Sequence, residues 1–90
     1  MAQDINKREL LCEINEAMIV FENPNYDSAI IGYTTNDRVV YDYELMVISL
    51  MEEDEMNEEE ATDFISYNTI RALPYAGSAG PIILFRLPEP

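Results

Sequence analysis

At Asp42 the apolar pattern of this chain changes period, and that change constrains the fold more than any other feature of the sequence. Upstream, Ser28 to Thr35 and Val39 to Tyr43 are β-rich runs joined by Asn36-Asp37-Arg38, a short polar connection suited to a hairpin. Downstream, Tyr43, Met46, Val47, Leu50 and Met51 recur at helical spacing. Ile48 widens that stripe, and Leu45 falls on the opposite side of the wheel. A chain that turns from strands to helices within a few residues, and then returns to a β-rich run at its end, belongs to the α+β class.

The remaining runs fill in an order. Residues 4–17 place Leu10, Leu11, Ile14 and Ala17 at helical spacing, continued by Met18, with Asp4 as a candidate N-cap. Residues 18–21 are β-rich and stop at the turn cluster Glu22-Asn23-Pro24-Asn25, which predicts a strand and, with the next two runs, a three-stranded antiparallel meander. Asn57 with Glu60 three residues later forms a capping-box pattern for a second helix after Asp42, with Glu58 and Glu59 in its positively polarised first turn. Ala61, Phe64, Ile65 and Ala72 share a face of it, Pro74 stops it, and the loop from Tyr75 to Pro81 has too much glycine and proline for regular structure. Residues 82–87, apolar on both alternations, read as a strand covered on both sides or inside the sheet. The expected architecture is one domain over residues 1–90, with order α-β-β-β-α-α-β. It has about three helices on a small, mostly antiparallel sheet built from the meander and the C-terminal strand.

Charge then narrows the partners. Five Lys and Arg face eighteen Asp and Glu with no His, a formal net charge of −13. Such a surface repels phosphate, so direct contact with nucleic acid or an anionic membrane is disfavoured and basic partners are favoured. Apolar residues make up 48% of the chain and run along nearly its whole length, too many for a disordered acidic tail. At this size the buried fraction of surface is modest, so a homodimer would add stability. Cys12 is the only cysteine, which excludes an internal disulfide, and neither a signal-peptide pattern nor an apolar run of about 20 residues is present. The expectation is a soluble protein of a reducing cytosol.

The acidic run is the strongest candidate for function. Glu52, Glu53, Asp54, Glu55, Glu58, Glu59, Glu60 and Asp63 hold eight of the eighteen carboxylates, and no cation lies between Arg38 and Arg71. As one continuous helix, residues 52–63 would span about 18 Å, a length over which duplex DNA carries roughly ten charges. The run could therefore imitate nucleic-acid phosphates and occupy a basic groove. The alternative is a solvated helix junction, and a turn at 54–57 would break the regular spacing. An EF-hand site is excluded because the run lacks the glycine that such a loop requires, so no metal site is expected.

Catalysis has little to work with. Cys12 has no histidine to activate it, and Glu9, Glu13 and Glu16 nearby surround it with negative charge, a poor setting for a thiolate nucleophile. The Gly77-Ser78-Ala79-Gly80 loop is followed by neither Lys-Ser nor Lys-Thr, nor by a helix, so no phosphate cradle is expected. No cofactor is expected either. In the segment from Tyr67 to Tyr75, Asn68 falls between Phe64 and Ile65 on the wheel and points its amide into the apolar layer, unless it ends the helix in a left-handed conformation. A structural role, capping or bracing the following loop, is expected for it. Arg71 is expected to pair with local carboxylates. The six tyrosines, Tyr75 among them, are expected mostly in the core or sheet, with a few exposed as partner contacts.

Ile31-Gly32, the run Val39 to Glu44 with Met46, Met51 to Asp54, Asn57 to Ala61, Tyr67 to Tyr75 and Gly80 to Ile83 together resemble a group of small proteins of phages, prophages and diverse bacterial genomes. The resemblance covers roughly residues 13–85. It implies provenance rather than chemistry, since that group carries no assigned activity. One departure is the Glu55-Met56 pair, where the group's pattern leads one to expect a glycine at or beside Glu55. By analogy, small acidic phage proteins resemble inhibitors of host defence of the anti-CRISPR and anti-restriction kind. The leading expectation is a non-enzymatic inhibitor or modulator of a host nucleic-acid-binding protein. The alternative is an adaptor that homodimerises or binds a chain through apolar helix faces.

Overall fold

The computed structural model describes residues 6–88. Its elements are α1 (Lys7–Ile14), β1 (Ile30–Tyr33), β2 (Val39–Asp42), α2 (Tyr43–Glu53), α3 (Glu58–Phe64) and β3 (Ile82–Leu84). Short 3-10 turns lie at Asp27–Ala29 and Leu73–Ala79, and a π-helical segment, Ile65–Ile70, continues α3. The fold is α+β, with a small mixed sheet in the order β1-β2-β3.

The hairpin forms where the turn residues predict it. β1 and β2 are antiparallel, with Ile30 opposite Tyr41 and Tyr33 opposite Val39, and a bulge between Ile30 and Gly32. Asp37 closes the turn in a left-handed conformation, φ 61°, which aspartate tolerates. The meander does not extend further. Residues 18–21 run outside any ladder among the described residues, and side chains take up the backbone groups of Phe21 instead. The Phe21 N–H donates to Tyr41 Oη at 3.0 Å, and its carbonyl accepts from the Arg8 guanidinium. β-Propensity reports only that a residue suits an extended, half-buried path, and residues 18–21 have such a path without a pairing partner.

β3 also departs from expectation. It pairs parallel to β2, Val40 against Ile82 and Asp42 against Leu84, because the chain reaches it through a crossover of two helices. The sheet is therefore mixed, and β3 is an edge strand with Leu84 exposed, as are Phe85 and Leu87 beyond its end.

The helices α2 and α3 start where the sequence places them, but their buried faces differ from the predicted ones. Asp42 caps α2, its Oδ1 accepting from Leu45 N–H at 3.0 Å. α2 packs on the Asp27–Ala29 turn, on α3 and on β2. These neighbours draw Met46, Val47, Ser49 and Leu50 inside and leave Ile48 and Met51 exposed. Leu45, placed on the outer side by the wheel, packs against the core instead. α1 starts at Asn6, whose side chain accepts from Glu9 N–H, and covers 7–14 of the expected 4–17; Asp4 lies outside the described residues. Leu11 is its only buried residue.

α3 carries both bonds of the predicted capping box, Asn57 Oδ1 to Glu60 N–H at 2.8 Å and Glu60 Oε1 to Asn57 N–H at 3.0 Å. Ala61 and Ile65 are buried as expected, but beyond Ile65 the helix widens to the π register and the inward face shifts. Thr69 is buried there, and Ala72 is exposed. The loop after Pro74 is more regular than expected: two 3-10 turns meet at Gly77, φ 75°, a conformation that glycine adopts without strain. Pro74 lies in the first turn of this segment, where a missing N–H costs nothing. The core gathers Tyr26, Val39, Tyr41, Met46, Leu50 and Ile65, all under 2% exposed.

Candidate functional site

The acidic residues occupy the junction between α2 and α3. α2 ends on a shared acceptor: the Leu50 carbonyl receives the N–H of Asp54 at 3.0 Å and of Met56 at 3.3 Å. Closing that turn puts Glu55 at φ 58°, in the left-handed region. This is the position at or beside which a glycine was expected. Replacing a β-carbon there with hydrogen relieves a steric conflict, partly offset by the greater freedom of an unfolded glycine. Glu55→Gly is thus expected to stabilise the protein by about 0.5–1 kcal/mol, read as a rise of a few degrees in Tm. Glu55→Gln keeps the β-carbon and should show little of that gain. Equal gains in both would assign the effect to charge and not to the backbone.

All eight carboxylates of the junction are exposed. The ion pairs among the described residues lie elsewhere, Arg8 with Glu22 and Asp27, and Arg86 with Asp42 and Glu44. Arg71, expected to neutralise part of the run, is exposed and pairs with no described carboxylate. The acidic patch therefore keeps its field.

The turn distributes the eight groups over different faces. Asp54, Glu55, Glu60 and Asp63 border a shallow hollow of about 530 Å³ whose other walls are Met56, Phe64, Tyr67 and Asn68. Glu58 faces a second hollow of about 540 Å³, with Thr62 beside it and Tyr43, Glu44, Val47, Ile48 and Met51 of α2 across from it. Glu52, Glu53 and Glu59 border neither. This is a many-sided acidic knob rather than an even ladder of charges. No group of three or more metal-ligating side chains among the described residues is arranged to hold a metal ion.

Asn68 takes neither predicted position. It is exposed at the rim of the first hollow, and its Nδ2 donates to the Phe64 carbonyl at 3.2 Å. That is the carbonyl which the N–H of residue 68 would reach in an α-helix, so the side chain braces the widened turn from outside. Thr69 takes the inward place, with its hydroxyl hydrogen-bonded to Tyr26 Oη at 2.8 Å. Tyr75 is almost fully exposed, and neither it nor Arg71 lines the hollow. Of the six tyrosines, Tyr26 and Tyr41 are buried, whereas Tyr33, Tyr67 and Tyr75 are exposed.

Reading residue types alone missed the aromatic wall. Its signal is present in the sequence: Glu60, Asp63, Phe64, Tyr67 and Asn68 are spaced i, i+3, i+4, i+7 and i+8, one stripe of a helix. A second hollow surface, between α1 and β1, was also missed. No helix among the described residues is long and apolar enough to cross a membrane. Compared with protein-family models, with curated proteins and with solved structures, the chain finds no match in any of the three.

Proposed function

We propose that this chain is a non-enzymatic interaction protein of phage-like origin that presents the α2–α3 junction to a basic protein surface. The target class is a host nucleic-acid-handling protein in the cytosol, inhibited or modulated in the anti-CRISPR or anti-restriction manner. One observation carries this reading: eight exposed carboxylates without a described counter-ion crowd one helix junction, and four of them, Asp54, Glu55, Glu60 and Asp63, border a hollow walled by Phe64 and Tyr67. A field of that sign speeds the approach of a basic partner, and the rings add short-range contact, including cation–π contact with an arginine or lysine side chain. Because the turn splits the charges between faces, this reading needs a basic pocket or rim and not a groove that matches the phosphate spacing of a duplex.

The test is capture from bacterial lysate by the immobilised protein, with the bound proteins identified. Nuclease, polymerase or other nucleic-acid-handling subunits are expected, released as salt rises from ~0.05 M to ~0.5 M. The combined change Asp54→Asn, Glu59→Gln and Asp63→Asn, which leaves the capping box intact, should weaken capture about tenfold or more. Capture that survives both the salt and the triple change would overturn the reading. It would favour the adaptor alternative, which draws on the exposed Leu10, Ile14, Ile48 and Met51 but loses Leu45, which packs half-buried against the core.

A further inference from the structure

α1 is clipped to the body by polar contacts at both ends. Lys7 Nζ donates to the carbonyls of Ile30 at 2.8 Å and Ser28 at 3.3 Å, and Arg8 binds Asp27 and Glu22. Past the other end, Asn15 Nδ2 donates to Asp37 Oδ2 at 2.9 Å. Between these clips the apolar stripe is left open. Leu10 and Ile14 on the helix, and Ile31 and Tyr33 on the edge strand β1, are each about half exposed, at 49%, 48%, 51% and 48%. They line a groove of about 380 Å³ in which Lys7 is the only charged residue among the described residues.

We infer that this groove is a self-association face, on which a second copy of the chain seats its own α1 antiparallel to the first. Charge argues for that occupant. A chain of net charge −13 meets itself most readily where carboxylates are absent, and none of the described carboxylates lines this groove. The last turn of α1 carries Glu13 and no cation, an arrangement its dipole disfavours, while Lys7 and Arg8 stand with Glu9 in the first turn. An antiparallel two-fold pairing sets the Lys7 end of each helix beside the Glu13 and Glu16 end of the other, so the acidic end, without a cation of its own in the monomer, meets one in the pair. The half-exposed side chains, with the adjoining strand edge, would bury on the order of 1,000 Å² over both copies, near the lower bound for a specific interface. The dimer is therefore weak and reversible, and it tightens as salt screens the repulsion between two acidic bodies.

Sedimentation velocity under reducing conditions, which silence the exposed Cys12 on the same helix, tests this. From about 10 μM to about 500 μM protein, the wild type is expected to approach twice the monomer mass, and to do so at lower concentration in ~0.5 M than in ~0.02 M salt. Ile31→Lys and Leu10→Lys each lower the net negative charge, so charge alone would favour association. Loss of the dimer in both, by about tenfold or more in Kd, would therefore report the apolar contact. Ile48→Lys, on the other exposed helix face, should leave it intact. Should a lysine variant fail to fold, concentration-dependent broadening of the wild-type Leu10 and Ile14 methyl resonances, with those of Ile48 unaffected, gives the same answer. A monomer under every condition overturns the inference. So does a dimer that survives Ile31→Lys and Leu10→Lys, or one broken only by Ile48→Lys. Leu10 and Ile31 line neither hollow of the junction, so with their variants capture of basic proteins succeeds or fails independently of the dimer.

Discussion

Tyr26→Ala is expected to lower stability in urea by about 3–5 kcal/mol, the cost of deleting a large buried aromatic side chain. A domain of this length holds roughly 5–13 kcal/mol in all, so this one change removes a large share of it. Tyr26 is 1% exposed and packs edge-on against Phe21, with centroids 5.6 Å apart. Its hydroxyl bonds to Thr69 inside the π-helical segment, so the side chain ties the 22–26 turn to the element that carries Tyr67 and Asn68. Burial pushes the Tyr26 phenol up, with the Thr69 bond opposing, so the group stays neutral through the physiological range. Tyr26→Phe isolates the hydroxyl: the loss should be about 1–2 kcal/mol, because the Thr69 hydroxyl is left buried without its partner. Thr69→Val should cost a similar amount, and the double variant Tyr26→Phe, Thr69→Val less than the sum. Strict additivity in that cycle would show that the two hydroxyls do not act as a pair.

Asp42→Ala is the second large effect, an expected loss of about 2–4 kcal/mol. Asp42 stands where β2 becomes α2, and its two oxygens do separate jobs. Oδ1 caps the helix at Leu45 N–H, and Oδ2 accepts from Arg86 Nε at 2.7 Å, holding the chain after β3 against the helix start. Removing the carboxylate loses both bonds, although Arg86, half exposed, regains water. Asp42→Asn keeps an acceptor for the cap and should recover about half of the loss.

Acid separates the two variants further. Burial pushes the Asp42 carboxyl up, but the Arg86 bond and the Leu45 N–H outweigh it and hold the group below its usual value. The unfolded chain then binds the proton more readily than the folded one, so stability rises with pH. The Asp42 contribution is complete above about 3.9, the unfolded value, and is lost as pH falls through the lower folded one. The stability gap between wild type and Asp42→Asn, measured by urea at a series of pH values, should accordingly be constant near neutrality and narrow below about pH 4. A gap unchanged down to pH 3 would show that the ion pair contributes nothing.

Much of this was legible because it is local. The Asn57–Glu60 capping box, the Asp42 boundary and the hairpin turn at 36–38 each depend on residues within a few positions of one another, and all form where the sequence places them. The acidic run was legible as composition, but its shape was not. Which carboxylates share a face depends on the left-handed Glu55 and on the angle at which α3 leaves α2. Residues 18–21 failed as a strand, and Leu45 changed sides, for a related reason. Propensity and wheel positions describe a segment alone, whereas pairing and burial depend on what arrives beside it from elsewhere in the chain.

By itself, the sequence determined the fold class, the capping box of α3, the strand-to-helix boundary at Asp42, the hairpin and the net charge. Those follow from short-range sterics, hydrogen bonds a few residues apart, and a count of ionised groups. Only the tertiary structure decided that β3 runs parallel at the sheet edge, that α3 widens to put Thr69 inside and Asn68 outside, and that α1 leaves an apolar groove open beside β1. Each of these is settled by contacts between residues far apart in sequence, where packing chooses among local conformations of nearly equal energy.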